Sequence, residues 1–401
     1  MTAADRYSRS SLWSWALYDF ANTIFSAAVI TFYFPLFLTA MTGQNKLLGF
    51  TTTLTMILAG LFTPGFGAWS DRSGRAKQSL RVTTLLCVTF TILLGFGKSP
   101  GALMVCFGAA CFFFHASLVF YNTLLTVAAA PEKQGFASGL GVGLGYFGVV
   151  ATLPLMNVVD KSWGTQAVFP VCGLLFLFFA IPLFLNVPER AATDATGFTF
   201  RDILSQGRWV AKTLRELKQD PKLLLFLGGN FFTVDAVNST IFWVSVYIRE
   251  VFHPGRDRML AVLMGLNACA FLAGIAAGFL TDRAGAMKTL IAAASSLCLM
   301  LVLMTQPLSF GMFTVLILTL GAFAVAGVWA AGRKALLELI PAEQTGSYFG
   351  LYGLVTKVSV LGSTLYGWAS DSVGMRPALW LMAFPALAGL GFLIWSSRIK
   401  R

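Results

Sequence analysis

The chain has 401 residues, of which 57% are apolar and only 11% are charged, and its formal net charge is +12. A soluble domain has roughly 45–50% apolar and about 25% charged residues, so this composition excludes a soluble globule. The 37 phenylalanines exclude a disordered chain. Long, unbroken apolar runs favour helices over a β-barrel, whose strands alternate apolar and polar residues. The sequence therefore predicts an all-α membrane protein.

Twelve apolar runs are long enough to cross a bilayer, which takes about 20 residues per helix. In chain order they are 12–40, 46–70, 77–97, 101–130, 134–159, 166–187, 222–250, 258–281, 287–306, 309–338, 344–370 and 376–397. Of the 29 Lys and Arg residues, 21 fall on the side of the two termini and 7 on the other. The positive-inside rule then predicts a multi-pass protein of the plasma or inner membrane with both termini in the cytoplasm. This placement accounts for the positive charge without a nucleic-acid partner.

Sequence signals for metal, nucleotide and hydrolase chemistry are missing. The six cysteines lie inside apolar runs, without the paired spacing of a disulfide framework or a zinc site. The sequence contains no G-x-x-x-x-G-K-[ST], no H-E-x-x-H and no G-x-S-x-G. We therefore expect no metal, no cofactor and no enzymatic activity.

Four aspartates recur at one spacing along the chain. Asp71 and Asp282 are 211 residues apart, as are Asp160 and Asp371, and the separation within each half is 89. They mark four units of three spans, and neighbouring units are inverted in the membrane because three is odd. The sequence therefore predicts two six-helix halves, each built from 3+3 inverted repeats.

The segment 188–221 is the one long polar stretch of the sequence. Thr199-x-x-Asp202 resembles a helix capping box, and the apolar residues after it fall at helical spacing opposite a row of Lys and Arg. We predict an amphipathic helix on the inner leaflet that joins an N-terminal bundle, residues 1–187, to a C-terminal bundle, residues 222–401. A regulatory or partner-binding role for this helix is the alternative.

The loop after the second span holds the pattern G-x-x-x-D-R-x-G-R. Its members are Gly67, Asp71, Arg72, Gly74 and Arg75. The pattern resembles the signature loop of the major facilitator superfamily of transporters at every position, and Asp282 and Arg283 repeat part of it after the eighth span. The resemblance implies the major facilitator fold, with Asp71 near the N-terminus of the eleventh helix, where the helix dipole favours negative charge.

The first span carries a second, shorter pattern. Trp15, Tyr18, Asp19 and Asn22 stand in it as W-x-x-Y-D-x-x-N. This is similar to the first-helix motif of the vacuole-effluxer-like group of the same superfamily, which contains the autophagy-related amino-acid effluxers. The resemblance implies efflux of a small zwitterion such as an amino acid. The fourth span has no Arg and the fifth has no Gly-Pro pair, which argues against a drug–proton antiporter.

Small residues are concentrated in the fifth, eighth and eleventh spans. They are Gly139, Gly141, Gly143, Gly145, Gly148, Gly274, Gly278, Gly346, Gly350 and Gly353. Small-x-x-x-small spacing lets helix backbones approach closely in lipid. The family resemblance implies that spans 2, 5, 8 and 11 meet between the halves, so we expect tight backbone packing there.

Charges inside the spans are the strongest functional signal. Asp19 and Asp235 each begin an Asp-x-x-Asn pattern, completed by Asn22 and Asn238, in the equivalent first helices of the two halves. A charge in hydrocarbon is costly and usually marks a transport pathway. We therefore predict Asp19 and Asp235 as protonation sites and pair Asp235 with Lys357 of the eleventh span. Structural hydrogen bonds or a purely structural ion pair are the alternatives.

Polar residues of the fourth and tenth spans complete the candidates. They are His115, Tyr121, Asn122, Trp329 and Arg333. The first four are candidates for lining a substrate cavity, with interior packing as the alternative. Arg333 lies near the cytoplasmic end of its span, where it could form a gate.

These residues together predict a secondary active transporter that works by alternating access. The expected activity is proton-coupled export of an amino-acid-like zwitterion, with Lys357 or Arg333 for its carboxylate and Asp19 or Asp235 for its ammonium. A lipid or lysolipid transporter of the same fold, or a drug or metabolite exporter, is the alternative. The expected partners are the solute, protons and membrane lipids, and we expect a monomer.

Overall fold

The computed structural model describes residues 8–42, 45–189, 218–358 and 360–399. Across these residues, eleven helices are long and apolar enough to cross a membrane. The predicted amphipathic helix falls outside the described residues.

The first six predicted spans correspond to eight helices. They are α1 (Arg9–Ile24), α2 (Phe34–Thr42), α3 (Asn45–Ser73), α4 (Ala76–Leu94), α5 (Pro100–Thr123), α6 (Leu125–Ala128), α7 (Gln134–Trp163) and α8 (Thr165–Asn186). Phe25–Tyr33 joins α1 to α2 through π-helical turns, so that the first span runs without interruption over Arg9–Thr42. A short 3₁₀ turn, Pro131–Lys133, precedes α7.

The last six predicted spans also correspond to eight helices. They are α9 (Pro221–Phe252), α10 (Arg256–Ala284), α11 (Ala286–Met304), α12 (Met312–Leu339), α13 (Thr345–Val358), α14 (Val360–Val373), α15 (Met375–Ala378) and α16 (Trp380–Arg398). α13 and α14 lie on the two sides of residue 359 and together cover the predicted eleventh span. The helix bounds agree with the predicted spans to within a few residues.

Several helices begin at side chains that accept their first free N–H groups. The hydroxyl of Ser8 accepts from Ser11 N (2.9 Å), and the hydroxyl of Ser99 accepts from Ala102 N (3.3 Å). The carboxylate of Asp220 accepts from Leu223 N at 3.0 Å. Such caps fix where a helix starts because they satisfy backbone donors that have no partner inside the helix.

Two glycines terminate equivalent helices of the two repeats. Gly74, with φ 64°, separates α3 from α4, and Gly285, with φ 102°, separates α10 from α11. Their positions differ by the same 211 residues as Asp71 and Asp282. Because only glycine adopts positive φ without steric cost, the sequence repeat is matched by a repeat of backbone conformation.

The described helices fall into two compact units. Among the described residues, the first unit comprises 8–42, 45–137, 144–189 and 341–354. Inside it, α4 packs against α5 and α8, α3 packs against α5, and α1 packs against α8. Its core is aromatic: the rings of Phe34 and Phe107 stack with centroids 3.9 Å apart.

Among the described residues, the second unit comprises 138–143, 218–340, 355–358 and 360–399. Here α9 packs against α16, and α12 packs against both α10 and α11. Glycine allows α9 and α16 to pack closely, because a Cβ added to Gly389 would lie 2.9 Å from the carbonyl oxygen of Gly229.

Candidate functional site

The first predicted carboxylate, Asp19, is buried within α1, where its side chain accepts a hydrogen bond from the same helix. The amide of Asn22 donates to Asp19 Oδ1 at 3.0 Å, so the Asp-x-x-Asn pattern forms a direct contact. Thr23 Oγ1 donates to the backbone oxygen of Asp19 at 2.7 Å. Gly145 of α7 lies beside this turn, since a Cβ added there would lie 2.8 Å from Thr23 Oγ1.

The second carboxylate, Asp235, is buried within α9 and bonds across to another helix. The backbone N–H of Gly362 in α14 donates to Asp235 Oδ1 at 3.2 Å. A Cβ at Gly362 would lie 2.6 Å from the same oxygen, so only glycine leaves room for the carboxylate. Asn238 and Lys357 are half-buried in the same unit. The ion pair of Asp235 with Lys357 remains a prediction.

Tyr121 lies inside an aromatic stack in the first unit. Its fully buried ring stacks on Trp15, with centroids 4.3 Å apart, and on Tyr18, at 5.0 Å. Trp15 Nε1 donates to the carbonyl oxygen of Tyr121 at 2.9 Å, and the hydroxyl of Tyr18 lies 2.7 Å from Thr84 Oγ1. Trp15 and Tyr18, the aromatic residues of the W-x-x-Y-D pattern, therefore pack α1 against α5. Asp19 lies in the same helix, α1.

The remaining cavity candidates are His115, Asn122 and Trp329, and all three are half-buried. The Oδ1 atom of Asn122 is buried and has no hydrogen-bond partner among the described residues. A buried polar atom without a partner costs free energy. Of these three residues, Asn122 is therefore the one whose environment most favours a polar ligand.

The signature loop places its carboxylate at the start of α13. The N–H of Gly346 donates to Asp71 Oδ1 and the N–H of Ser347 donates to Asp71 Oδ2, both at 2.7 Å. A carboxylate that accepts two free N–H groups also interacts favourably with the helix dipole. The structure thus puts Asp71 where the family resemblance implies.

The other residues of the loop have distinct environments. Gly67 packs on the backbone of Gly346, and a Cβ at Gly67 would lie 3.0 Å from Ser347 N. Arg72 and Arg75 are exposed. The loop therefore combines one helix contact with two accessible cations.

The repeat also relates two helix crossings, one in each unit. In the first unit, a Cβ at Gly350 of α13 would lie 2.6 Å from the carbonyl oxygen of Thr63 in α3. In the second unit, Gly139 contacts Gly274 and Gly278 of α10, and a Cβ there would lie 2.7 Å from Gly278 N. A shift of 211 residues converts the pair 350 and 63 into the pair 139 and 274. The small residues therefore allow close backbone approach in both units.

Asp282, the repeat partner of Asp71, forms an ion pair in the second unit. Lys334 Nζ lies 2.6 Å from Asp282 Oδ1, and the two side chains are 10% and 13% exposed. The neighbouring Arg333 is buried, and Arg283 is exposed. The ends of α10 and α12 that are predicted to be cytoplasmic thus carry three cations, Arg283, Arg333 and Lys334, and two carboxylates, Asp282 and Glu338.

Two contacts are not predicted from the sequence. Gly362 donates to Asp235 from 127 residues away, and the one sequence signal for this contact is a small residue in a span that also has to pack against a buried acid. Glu189, three residues after the end of α8, accepts from Lys77 N at 2.6 Å and Gln78 N at 3.0 Å. Its carboxylate caps α4 as that of Asp71 caps α13. The sequence feature that could have indicated this cap is an acidic residue shortly after a predicted span.

The chemistry of these sites is that of carboxylates, amides and cations. No group of three or more His, Cys, Asp or Glu is placed to hold a metal ion in the part of the chain that the structure describes. All six cysteines are free thiols. The buried carboxylates can accept hydrogen bonds or a proton, and the buried cations can bind an anionic group.

Three relatives show the breadth of the similarity. The MFS-type transporter YxiO of Bacillus subtilis (strain 168) is 24% identical over 386 residues, covering 90% of this chain and 88% of the relative. Multidrug resistance protein MdtG of Rahnella sp. (strain Y9602) is 24% identical over 379 residues, with coverages of 90% and 88%. Autophagy-related protein 22 of Chaetomium globosum is 24% identical over 299 residues, with coverages of 66% and 45%.

A solved structure and a family profile agree with these relatives. A bacterial homologue of the iron transporter ferroportin, crystallised in an outward-facing state with soaked iron, shares the fold with a TM-score of 0.73. It is 14% identical and covers 97% of this chain and 99% of its own. The profile of the Major Facilitator Superfamily matches residues 20–359. The chain therefore belongs to the major facilitator superfamily and is a multi-pass membrane transporter, not an enzyme.

Proposed function

We propose that the protein exports an amino-acid-like zwitterion by alternating access, coupled to protons. The observation that carries the proposal is one buried carboxylate in the first helix of each sequence half, Asp19 in α1 and Asp235 in α9. Buried acids in the equivalent first membrane-spanning helices of both halves are costly for folding, so a role in transport is the better account of them.

The two carboxylates have different partners and therefore different roles in the proposal. Asp19 accepts a hydrogen bond from Asn22 of its own helix, and a carboxylate held in this way presents a negative charge to an ammonium group. Asp235 accepts from Gly362 in α14, so neutralising it weakens a contact between two helices. We assign ion coupling primarily to Asp235 and binding of the substrate ammonium to Asp19.

A zwitterion also needs a cation for its carboxylate. Arg333 is buried in α12 and offers the planar, bidentate geometry that suits a carboxylate. Lys357 in α13 is the second candidate, and a substrate carboxylate would compete with Asp235 for it. We propose that this competition couples binding to the protonation of Asp235.

Alternating access requires helix contacts that open and close. In the proposal, Asp71 releases and regains the two N–H groups of α13 during the cycle. We propose that the protein is a monomer of two six-helix bundles, residues 1–187 and 222–401, which residues 188–221 join as a linker. Both termini lie in the cytoplasm, where membrane lipids would meet the exposed cations of the signature loop.

The test is transport by purified protein in proteoliposomes under an imposed pH gradient. A panel of radiolabelled amino acids identifies the substrate, and Asp19→Asn and Asp235→Asn are compared with the exposed control Asp371→Asn. We expect Asp235→Asn to lose gradient-driven accumulation but to keep exchange, and Asp19→Asn to lose binding. Unchanged rate and pH dependence in Asp235→Asn would rule out its coupling role.

Drug export is the second candidate, because MdtG is similar over 90% of this chain. The same panel therefore includes cationic drugs and lysolipids. Accumulation of a drug without any amino acid would establish the drug exporter. A response to lysolipid alone would establish the lipid transporter instead.

A further inference from the structure

Asn230 of α9 is a buried amide that no group in the described part of the chain satisfies. The residue is 0% exposed, and neither its Nδ2 nor its Oδ1 atom has a hydrogen-bond partner among those residues. An amide can donate two hydrogen bonds and accept two, and a buried polar group left unpaired costs free energy. In the described conformation this amide therefore destabilises the fold.

The neighbours of Asn230 on its own helix are apolar. Phe226, Val234 and Val237, at positions i−4, i+4 and i+7, share its face of α9, and all three are fully buried. Asp235 lies five residues further along, which turns it about 140° away from Asn230. Asn230 is thus the one polar side chain in an apolar stripe, separate from the contact of Asp235 with α14.

The sequence repeat relates Asn230 to Asp19. The two residues are 211 positions apart, which is the separation of the repeated aspartates. The N-caps of α1 and α9, Ser8 and Asp220, are 212 positions apart. Counted from the start of each helix, Asn230 therefore lies at the height of Asp19 to within one residue, and a neutral amide stands in the second half where the first half has a carboxylate.

A ligand that satisfies both amide atoms must present a donor and an acceptor close together, because Nδ2 and Oδ1 are bonded to the same carbon. An α-amino acid does so, since its ammonium and its carboxylate are also attached to one carbon. We propose that Asn230 binds the transported α-amino acid, with Oδ1 accepting from the ammonium and Nδ2 donating to the carboxylate; this inference rests on the proposed function. Because the amide is enclosed in this conformation, the substrate reaches it in another conformation of the cycle.

Asn230→Leu separates a ligand contact from a structural bond, because leucine has a similar size and no hydrogen-bonding group. We expect this variant to unfold at the wild-type temperature or higher, since an apolar side chain removes the cost of the unpaired amide. We expect its dissociation constant for the substrate to rise about tenfold or more. Thermal unfolding in detergent, and equilibrium dialysis against each of the twenty radiolabelled standard amino acids, measure the two effects on the full-length protein.

Thr233→Val is the matched control. Thr233 is also fully buried in α9, but its hydroxyl donates to the carbonyl oxygen of Gly229 at 2.8 Å. Its loss should leave the dissociation constant within about twofold of the wild-type value. A clearly lower unfolding temperature for Asn230→Leu would show a structural bond and overturn the proposal, as would an equal loss of affinity in Thr233→Val.

Asn230→Asp tests which groups the amide binds. Aspartate keeps an acceptor for the ammonium but replaces the donor with a negative oxygen, which repels the substrate carboxylate. We expect affinity for the amino acid to fall about tenfold or more. Affinity for the corresponding amine, such as ethylamine for alanine, should not fall. An equal fall for both ligands would overturn the assignment.

The dialysis distinguishes a failure of this proposal from a failure of the proposed function. If the wild-type protein binds none of the twenty amino acids, both are wrong. If the wild-type protein binds one of them and Asn230→Leu binds it equally well, only the assignment of Asn230 is wrong.

Discussion

At the scale of residues, the position of the Asp235 carboxylate depends on the glycine that faces it. A methyl group at Gly362 would overlap this carboxylate. We therefore predict that Gly362→Ala lowers the free energy of unfolding by about 1–3 kcal/mol, the usual effect of overpacking a tight contact. Thermal unfolding in detergent measures it.

The matched control is Gly391→Ala in α16, where nothing lies within 4 Å of an added Cβ. That variant should be neutral or slightly more stable, since alanine favours helix over glycine by about 1 kcal/mol. If Gly362→Ala unfolds at the same temperature as Gly391→Ala, the tight Asp235–Gly362 contact is wrong.

A second residue-scale prediction concerns Asp71. Asparagine keeps one acceptor oxygen but turns an amide NH₂ toward the second backbone N–H of α13. We predict that Asp71→Asn loses about 1.5–3 kcal/mol of local stability, the contribution of hydrogen bonds to a charged group. Hydrogen exchange at Gly346 and Ser347 measures it, because these amides donate to Asp71 at 2.7 Å. Unchanged protection would show that the charge is not needed there.

These two contacts differ in how far the sequence predicts them. Asp71 is recognisable because a local pattern of nine positions carries it, and the structure places it at α13 as that resemblance implies. The partner of Asp235 could not be predicted, because one glycine 127 residues away is indistinguishable from the other glycines of the apolar spans. The stacking of Tyr121 on Trp15 could not be predicted either, because the sequence does not show which of its many aromatic residues meet in space.

At the scale of elements, two crossings related by 211 residues make comparable contacts. Gly350→Ala presses on the backbone of α3, and Gly139→Ala presses on the backbone of α10. Because the neighbour in both cases is backbone, which yields less than a flexible side chain, we predict similar losses of about 1–3 kcal/mol. Thermal unfolding of both variants measures this.

Gly265→Ala in α10 is the control for these variants, since nothing lies within 4 Å of a Cβ there. It should be neutral or stabilising. A large loss for Gly350→Ala alone would mean that the repeat in sequence is not matched by equal packing at the two crossings.

Apolar periodicity predicts where the helices lie but not how each one is wound. The predicted spans match the helices to within a few residues because apolar length and polar loops define both ends. The π-helical turns of Phe25–Tyr33 were not predicted. All but two residues of that stretch are apolar or aromatic, so its pattern does not distinguish an i→i+5 from an i→i+4 hydrogen bond.

At the scale of the whole molecule, the charge distribution makes a prediction about topology. Of the 29 cations, 21 are assigned to one side and 7 to the other, and such a bias sets orientation during insertion. Both termini should therefore lie in the cytoplasm. Lys98, in the exposed connection between α4 and α5, should lie on the opposite side.

Reporter fusions in a bacterial host test this orientation. Alkaline phosphatase is active only outside the cytoplasm, whereas green fluorescent protein exported in unfolded form does not fluoresce there. We expect a phosphatase fused after Arg401 to be inactive and a green fluorescent protein at the same site to fluoresce, because three of the last four residues are cations. A phosphatase fused after Lys98 is the positive control and should be active. The reverse pattern would place the signature loop, with the exposed Arg72 and Arg75, outside the cell and would contradict the predicted orientation.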